Sequence, residues 1–436
     1  MQFITCKFGG SSLADASCIR NAVSIIKSNT SRRYIVPSAP GKRHGEDKKI
    51  TDLLYAWHGM ARQGLDASEP RNIIEERFGS LAHELGVTFD IRACLDEIAQ
   101  CAGRDKTPDY MASRGEYLNG RLLAEVLEAV FVDPAECILF KENGKLDPDT
   151  YERLGARLTG PGYFVIPGFY GALPDGTIQT FSRGGSDVTG AIVARASKSC
   201  LYENWTDVSG FCMADPRIVA DAKRIEEVTY RELRELSYMG ATVLHDEAIF
   251  PVQEPGIPIQ ILNTRDPKNP GTMIVQKRTA TSPVCGIAGR GGFSMFNIEK
   301  TLMNKEHGFG RKLLSIFEEM GVSWEHMPSG IDTVSVIVHD NELGNKGPVI
   351  MEQIERQLSP NELSLTSGLA IIATVGQGMN HHIGVAARLT GAMAQAGINL
   401  RVIDQGSSEM NIIIGVEDRD LEKAVRAIYQ AFIDWK

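Results

Sequence analysis

Phe3-Ile4-Thr5-Cys6-Lys7-Phe8-Gly9-Gly10-Ser11-Ser12-Leu13 opens the chain with an apolar run, a lysine and two glycines. Residues 3–6 predict a strand and the glycines a turn. From Leu13 the apolar positions Leu13, Ala16, Ile19, Ala22, Val23 and Ile26 recur at helical spacing. Ser11 or Ser12 is placed to cap that helix, and Asp15 to add a carboxylate to its first turn. Residues 33–37 form a second apolar strand, ending in the loop signature Pro37-Ser38-Ala39-Pro40-Gly41. Strand, glycine loop, helix, strand is the alternation of an α/β fold, a sheet covered by helices.

Outward from this unit, helical patterns dominate residues 50–131. The longest covers 112–131, where Arg121 and Glu125, four apart, fit a pair on a solvated face. Strand-like runs return at 137–140, 162–166, 177–181, 200–204, 257–262 and 271–275, with helices between most of them, notably 187–196 and 229–239. The polar stretch 276–283 predicts a linker. Beyond it one pattern occurs twice. Strand 292–298, helix 310–320, strands 322–326 and 333–338 and helix 348–357 are followed by strand 369–375, helix 384–396, strands 398–402 and 410–416 and helix 421–433. Strand, helix, strand, strand, helix, repeated over roughly 75 residues each, describes two ferredoxin-like α+β units. The expected domains are 1–283, 284–362 and 363–436.

The bulk numbers narrow the function classes. The chain has 436 residues, 43% hydrophobic and 23% charged, the balance of a globular protein with more than one domain. No apolar run approaches the roughly 20 residues a membrane-spanning helix needs, and no basic start with an apolar stretch marks an export signal. Eight cysteines lie scattered, without Cys-x-x-Cys spacing, which predicts free thiols in a reducing cytoplasm. A net charge of −9 argues against nucleic acid or an anionic membrane as partner. His381-His382 lacks further ligands at useful spacing, so no metal site is expected.

Three glycine loops carry the chemistry. In Lys7-Phe8-Gly9-Gly10-Ser11-Ser12, glycines let backbone N–H groups approach an anion, the following helix end adds partial charge and Lys7 a mobile cation. Taken alone, the same stretch also reads as a tight turn with a solvated lysine. It is not a P-loop, because the lysine precedes the glycines. In Ser182-Arg183-Gly184-Gly185-Ser186-Asp187, Arg183 is suited to grip a carboxylate in two places and Asp187 to meet an ammonium. Ser186 and the amides of Gly184 and Gly185 are suited to transferring phosphate oxygens. A helix capped by Ser186 or Asp187 is the structural alternative, and the two readings are compatible. Asn204-Trp205-Thr206-Asp207-Val208-Ser209-Gly210, followed by Ala214-Asp215-Pro216-Arg217, offers Thr206 and Asp207 to a nucleotide and Arg217 to its phosphates. Alone it is an ordinary turn.

In this order the loops resemble the aspartokinases of the amino-acid kinase superfamily. Lys7–Ser12 is similar to that family's Lys-Phe-Gly-Gly-Thr/Ser-Ser, and Ser182–Asp187 to its Gly/Ser-Arg-Gly-Gly-Ser-Asp. Trp205–Val208 with Asp215-Pro216-Arg217 resembles Trp-Thr-Asp-Val…Asp-Pro-Arg. Ser113-Arg114-Gly115-Glu116 is similar to Ser-x-Gly-Glu, and Ile50-Thr51-Asp52-Leu53-Leu54 to Ile/Val-Thr-Asn/Asp-x-Leu. The duplicated tail resembles tandem ACT regulatory domains. The resemblance implies a three-layer αβα kinase domain with a mostly parallel sheet, then two ACT units. It implies transfer of the γ-phosphoryl group of ATP, with Mg2+ on the phosphates, to the side-chain carboxylate of L-aspartate, the first step toward lysine, threonine and methionine. Lys7 and Asp187 would be catalytic. Thr51, Glu116, Arg183 and Ser186 would bind aspartate, Arg183 at the α-carboxylate and Glu116 at the α-amino group. Lys7, Gly9, Gly10, Ser11, Gly184, Gly185, Thr206, Asp207 and Arg217 would bind the nucleotide. His307, Gly308, Phe309, Glu325 and Ser329 would bind an amino-acid effector, with lysine, threonine, both together or no effector left open. A homodimer or larger homo-oligomer is implied too.

The chain departs from the family at several points. Thr242 stands where many members carry lysine, Asp246 where proline is common and Cys212 where a tyrosine is expected. The charged stretch 41–49 reads as an insertion forming a flap over the substrate site. A catalytically weak or inactive amino-acid-binding regulator fits these departures; Lys7, Glu116, Arg183 and Asp187 favour an enzyme.

Overall fold

The computed structural model describes residues 2–102, 107–182, 184–240, 244 and 246–435. Contacts divide the chain into two units. The first is Met1–Phe211, Glu226–Leu233 and Thr242–Arg278; the second is Cys212–Ile225, Arg234–Ala241 and Thr279–Lys436.

In chain order the first unit carries β1 (Ile4–Phe8), α1 (Ala16–Lys27), β2 (Arg32–Pro37), α2 (Ile50–Arg62), α3 (Ser68–Leu85), α4 (Ile91–Ala102), α5 (Pro108–Leu127), β3 (Val130–Phe131) and α6 (Asp149–Arg157). There follow β4 (Phe164–Val165), the hairpin β5 (Tyr170–Ala172) and β6 (Ile178–Thr180), α7 (Gly185–Ala196), β7 (Leu201–Thr206) and β8 (Glu227–Thr229). Helix α8 (Tyr230–Tyr238) starts here and ends in the second unit; the single turn α9 (Phe250–Gln253), β9 (Ile259–Asn263) and β10 (Thr272–Val275) complete the first. Eight of these strands form one sheet, ordered β3-β4-β2-β1-β7-β9-β10-β8. The pairings are parallel except β9 with β10.

Strand β1 lies between β2 and β7 and is buried throughout, which is why its sequence reads as an apolar run rather than an alternation. Its period of two still decides the site. Ile4, Cys6 and Phe8 join the core built with α1 to α5. Thr5 and Lys7 face the opposite side, where Thr5 meets Ser199 at 2.9 Å and Lys7 meets Asp187 of α7. Helices on both faces of a mostly parallel sheet make the expected three-layer αβα arrangement.

The second unit holds β11 (Gly286–Glu299), α10 (Phe309–Glu319), β12 (Thr333–His339), the single turn α11 (Asp340–Leu343), α12 (Gly347–Leu358), β13 (Glu362–Val375), α13 (Val385–Gln395), β14 (Val402–Asp404), β15 (Asn411–Glu417) and α14 (Leu421–Phe432). Its five strands form one antiparallel sheet, β12-β11-β13-β15-β14. The 14-residue strands β11 and β13 each run through both halves of that sheet. The end of β11 pairs with β12 and the start of β13 beneath α10 and α12, while its start pairs with the end of β13, which continues to β15. Gly292, at φ 81°, sits where the β11 register shifts.

Several local expectations are corrected. Gly10–Leu13 is a 3-10 turn, and α1 is capped by Asp15, whose carboxylate accepts from Cys18 N at 2.8 Å, not by Ser11 or Ser12. The helix expected over 112–131 ends at Leu127, after which Val130–Phe131 joins the sheet, and Arg121 donates back to Tyr117 at 2.9 Å instead of pairing with Glu125. The strand expected at 322–326 is a single bridge, His326 to Ile337. The expected linker is anchored by Arg278, ion-paired at 2.7 Å with the fully buried Glu232. All eight cysteines are free. Among the described residues no helix is long and apolar enough to cross a membrane.

Candidate active site

The carboxyl ends of β1, β2 and β7 bring the glycine loops together. Gly9 N donates to Trp205 O at 3.0 Å, and Gly41 N to Gly10 O at 2.8 Å. A Cβ on Gly10 would lie 2.9 Å from Ala39 O, and one on Gly41 2.6 Å from the Gly10 carbonyl, so both glycines are demanded by close backbone approach. Lys7 Nζ lies 3.6 Å from where a Gly9 Cβ would stand and 2.5 Å from Asp187 Oδ1, with the two side chains 10% and 14% exposed. Asn204 Nδ2 donates to the same oxygen at 2.9 Å, and Tyr202 OH to the Asp187 carbonyl at 3.0 Å. Asp187 sits in the first turn of α7, where the helix dipole favours a carboxylate. The result is a lysine fixed above a bare-backbone turn.

Beneath it Trp205 is buried and stacks on Phe8, ring centroids 6.1 Å apart. Its indole N–H donates to Glu203 at 2.8 Å, and Glu203 is gripped by Arg32 at 2.8 and 3.1 Å. The tryptophan of the Trp-Thr-Asp segment is therefore a pillar under the first loop.

The second loop closes against the 168–170 segment. Gly184 takes the left-handed φ of 61° that opens α7. Ser186 is buried so tightly against Gly168 that a Cβ there would lie 2.5 Å from its hydroxyl. Phe169 adopts φ 85°, a costly conformation for a non-glycine residue. It is held by Thr189 Oγ1, which accepts from Phe169 N at 3.0 Å and donates to Gly185 O at 2.9 Å. Arg183 lies outside the described residues, as do Thr242 and the family comparison at that position.

Glu116, on α5, is buried, and burial pushes its carboxyl up to about 7 despite a hydrogen bond from the Ala39 backbone. Its Oε2 is buried without a partner. Arg114, two residues before it, is enclosed by the rings of Tyr110, Tyr117 and Tyr170 at 4.6, 4.5 and 5.1 Å. Thr51 is half-buried in the first turn of α2. Ser11 is half-buried in the 3-10 turn.

The 41–49 stretch is pinned rather than loose. Arg77 of α3, almost fully buried, donates to Gly41 O and pairs with Asp47 at 2.9 Å. Arg43 also bonds Asp47, and hydrogen bonds from Arg43, with Arg77 beside it, hold that carboxyl well below the usual range. The spacing of these residues in sequence gives no local signal of the cluster.

The remaining expected residues are dispersed. Thr206 Oγ1 bonds Asp207 at 3.3 Å at the exposed end of β7. Arg217 belongs to the second unit, is largely exposed and pairs with Asp215 at 2.5 Å. Cys212 also falls in the second unit, bridged to Arg224. Among the effector residues, His307 is exposed, Gly308 takes φ 79° to open α10, and Phe309 is a core residue. Glu325 pairs with Arg290 at 3.0 Å, and Ser329 bridges Val334.

Residues 2–263 match the amino acid kinase family, and residues 372–432 match an ACT domain. Aspartokinase 3 of Bacillus subtilis (strain 168) is 39% identical over 443 residues, 98% of each chain. The crystal structure of Clostridium acetobutylicum aspartate kinase, described as an allosteric enzyme, is 47% identical with a TM-score of 0.92, over 99% of this chain and 100% of that one. That of Escherichia coli aspartokinase III with aspartate and ADP is 23% identical with a TM-score of 0.77, over 99% and 100%, and bears on the fold. The chain belongs to the amino acid kinase family and, within it, to the aspartokinases with an ACT region.

Proposed function

We propose that Lys7, held by Asp187 above Gly9 and Gly10, is the centre at which the γ-phosphoryl group of ATP passes to the side-chain carboxylate of L-aspartate. The observation that carries this reading is the buried 2.5 Å pair between Lys7 and Asp187 at the meeting of the glycine loops. The acceptor carboxylate has an ordinary pKa of about 3.9 and is ionised at neutral pH, so no general base is needed. The requirement is alignment and relief of repulsion between two anions. Lys7 and the amides of Gly9, Gly10, Ser11, Gly184 and Gly185 supply it, while Asp187 keeps the ammonium in place.

Glu116 takes the α-amino group of aspartate, Arg183 its α-carboxylate, and Thr51 and Ser186 line the same pocket. Thr206 and Asp207 take the nucleotide. Among the described residues no three His, Cys, Asp or Glu side chains converge as metal ligands. Mg2+ enters as part of the substrate, on the ATP phosphates, which suits an ion that keeps most of its water.

Residues 1–283 form the catalytic part, and 284–362 with 363–436 a regulatory part answering to lysine, threonine or both, in a homodimer or larger homo-oligomer of the cytoplasm. A regulator without catalysis is disfavoured, because a desolvated lysine–carboxylate pair and a buried carboxyl are poor choices for a surface that only senses. The test is acyl phosphate formation from ATP and aspartate, trapped as a hydroxamate, with and without added lysine and threonine. Product from the wild type and none from Lys7→Ala supports the reading; no product from folded wild-type protein overturns it.

A further inference from the structure

Asn119 lies three residues after Glu116 on α5 and is 1% exposed. Its Nδ2 donates to Ser38 O at 2.7 Å, which fixes the amide's orientation, because only the nitrogen end can donate to a carbonyl. The other end, Oδ1, is buried with no partner. Glu116 repeats the arrangement: its carboxylate accepts from the backbone of Ala39, the next residue along, and its Oε2 is buried with no partner. The two side chains are thus held by the two sides of one peptide group, Ser38–Ala39, just past the end of β2, and they sit on neighbouring positions of one helix face.

The large majority of buried side-chain polar atoms in folded proteins have a partner, and a pair of orphans on adjacent side chains points to a shared ligand. With Glu116 ionised both free atoms are acceptors, so that ligand must donate at least twice and accept nothing. A primary ammonium has three N–H donors and no acceptor. We infer that Asn119 Oδ1 and Glu116 Oε2 together form the seat of the substrate's α-ammonium group, with Asn119 a specificity residue for an amino acid over a dicarboxylate that lacks the amine. This rests on the reading that Glu116 receives that group. Arg114, the nearest cation on the helix, is enclosed by three aromatic rings and is not the partner.

The test compares binding of L-aspartate with that of succinate, the same four-carbon dicarboxylate without the amine, by competition in the hydroxamate assay. Asn119→Leu should lower the preference for aspartate over succinate by about tenfold to hundredfold, the scale of one hydrogen bond to a charged group, and leave succinate affinity and the KM for ATP unchanged. Asn119→Asp, which keeps an acceptor, should hold the preference. Equal losses for both ligands, or an unchanged preference in Asn119→Leu, overturn the inference. A loss in Asn119→Asp as large as in the leucine variant overturns it too, because the donor to Ser38 would then be what matters. Glu116→Gln separates the two layers. If it leaves the preference unchanged, the assignment of Glu116 fails; if it lowers the preference and Asn119→Leu does not, only the role of Asn119 fails.

Discussion

Glu116 ties the site to a measurable pH dependence of folding. Burial raises its carboxyl from 4.5 to about 7, so the folded protein holds a proton there that the unfolded chain releases near 4.5. Between those values the folded state binds more protons, and raising the pH destabilises it. The stabilising difference is fully present below the unfolded pKa and is lost as pH rises through about 7. At about 1.4 kcal/mol per pH unit the gap is on the order of 3 kcal/mol, most of it falling between pH 5 and pH 8. Glu116→Gln removes the titration and nearly keeps the shape. Urea unfolding of both proteins at several pH values, at fixed ionic strength and without aspartate, isolates the term from the other carboxylates. The wild type should lose stability on the order of 2–3 kcal/mol relative to Glu116→Gln between pH 5 and pH 8, and saturating aspartate at pH 8 should recover part of it, because the ammonium stabilises the ionised form. A difference between the two proteins that stays flat across that range would refute the premise that this carboxyl is desolvated and held ready for a cation.

Lys7→Ala should lower kcat by about a hundredfold to a thousandfold, the scale for removing one preorganised stabiliser of developing charge. Asp187→Asn should cost less, and the double variant little more than Lys7→Ala alone, read from a double-mutant cycle of steady-state rates. Gly41→Ala forces a methyl group to within 2.6 Å of the Gly10 backbone; kcat should fall while the melting temperature drops only modestly. Arg77→Leu removes one of the two arginines on the buried Asp47 and leaves Arg43 bonded to it, so the loss should fall below the about 3–5 kcal/mol of a fully broken buried pair, as read by chemical denaturation.

The alternation of strands, glycine loops and helices is legible in sequence because each local pattern agrees with the sheet it joins. Even the direction of Lys7 follows from β1, since a strand with Cys6 and Phe8 toward α1 must turn Lys7 the other way. The caps and ends were harder. Ser11 and Ser12 have the right chemistry for a cap, but close backbone approach at Gly10 and Gly41 draws 10–13 into a 3-10 turn, and the helix waits for Asp15. Sequence periodicity sees two successive copies in the tail and has no term for β11 and β13 serving both halves of one sheet. Partners far apart in the chain, such as Arg77 with Asp47 or Asn204 with Asp187, leave no spacing to read.

In the proposed mechanism a carboxylate beside the lysine that would meet the transferring phosphoryl group looks counterproductive, since it would cancel part of the charge the reaction uses. The geometry resolves this. Asp187 stands at the amino end of α7, where the helix dipole offsets its charge, and Asn204 donates to the same oxygen that pairs with Lys7. Its net field toward the substrate is thereby reduced, while its constraint on the four-carbon stem of Lys7 is not. An unpaired lysine at that depth would swing toward water. Because the nucleophile is already ionised, the site gains nothing from a base at this position and a good deal from a cation that does not move. In the proposed mechanism Asp187 is therefore the residue that holds Lys7 in place.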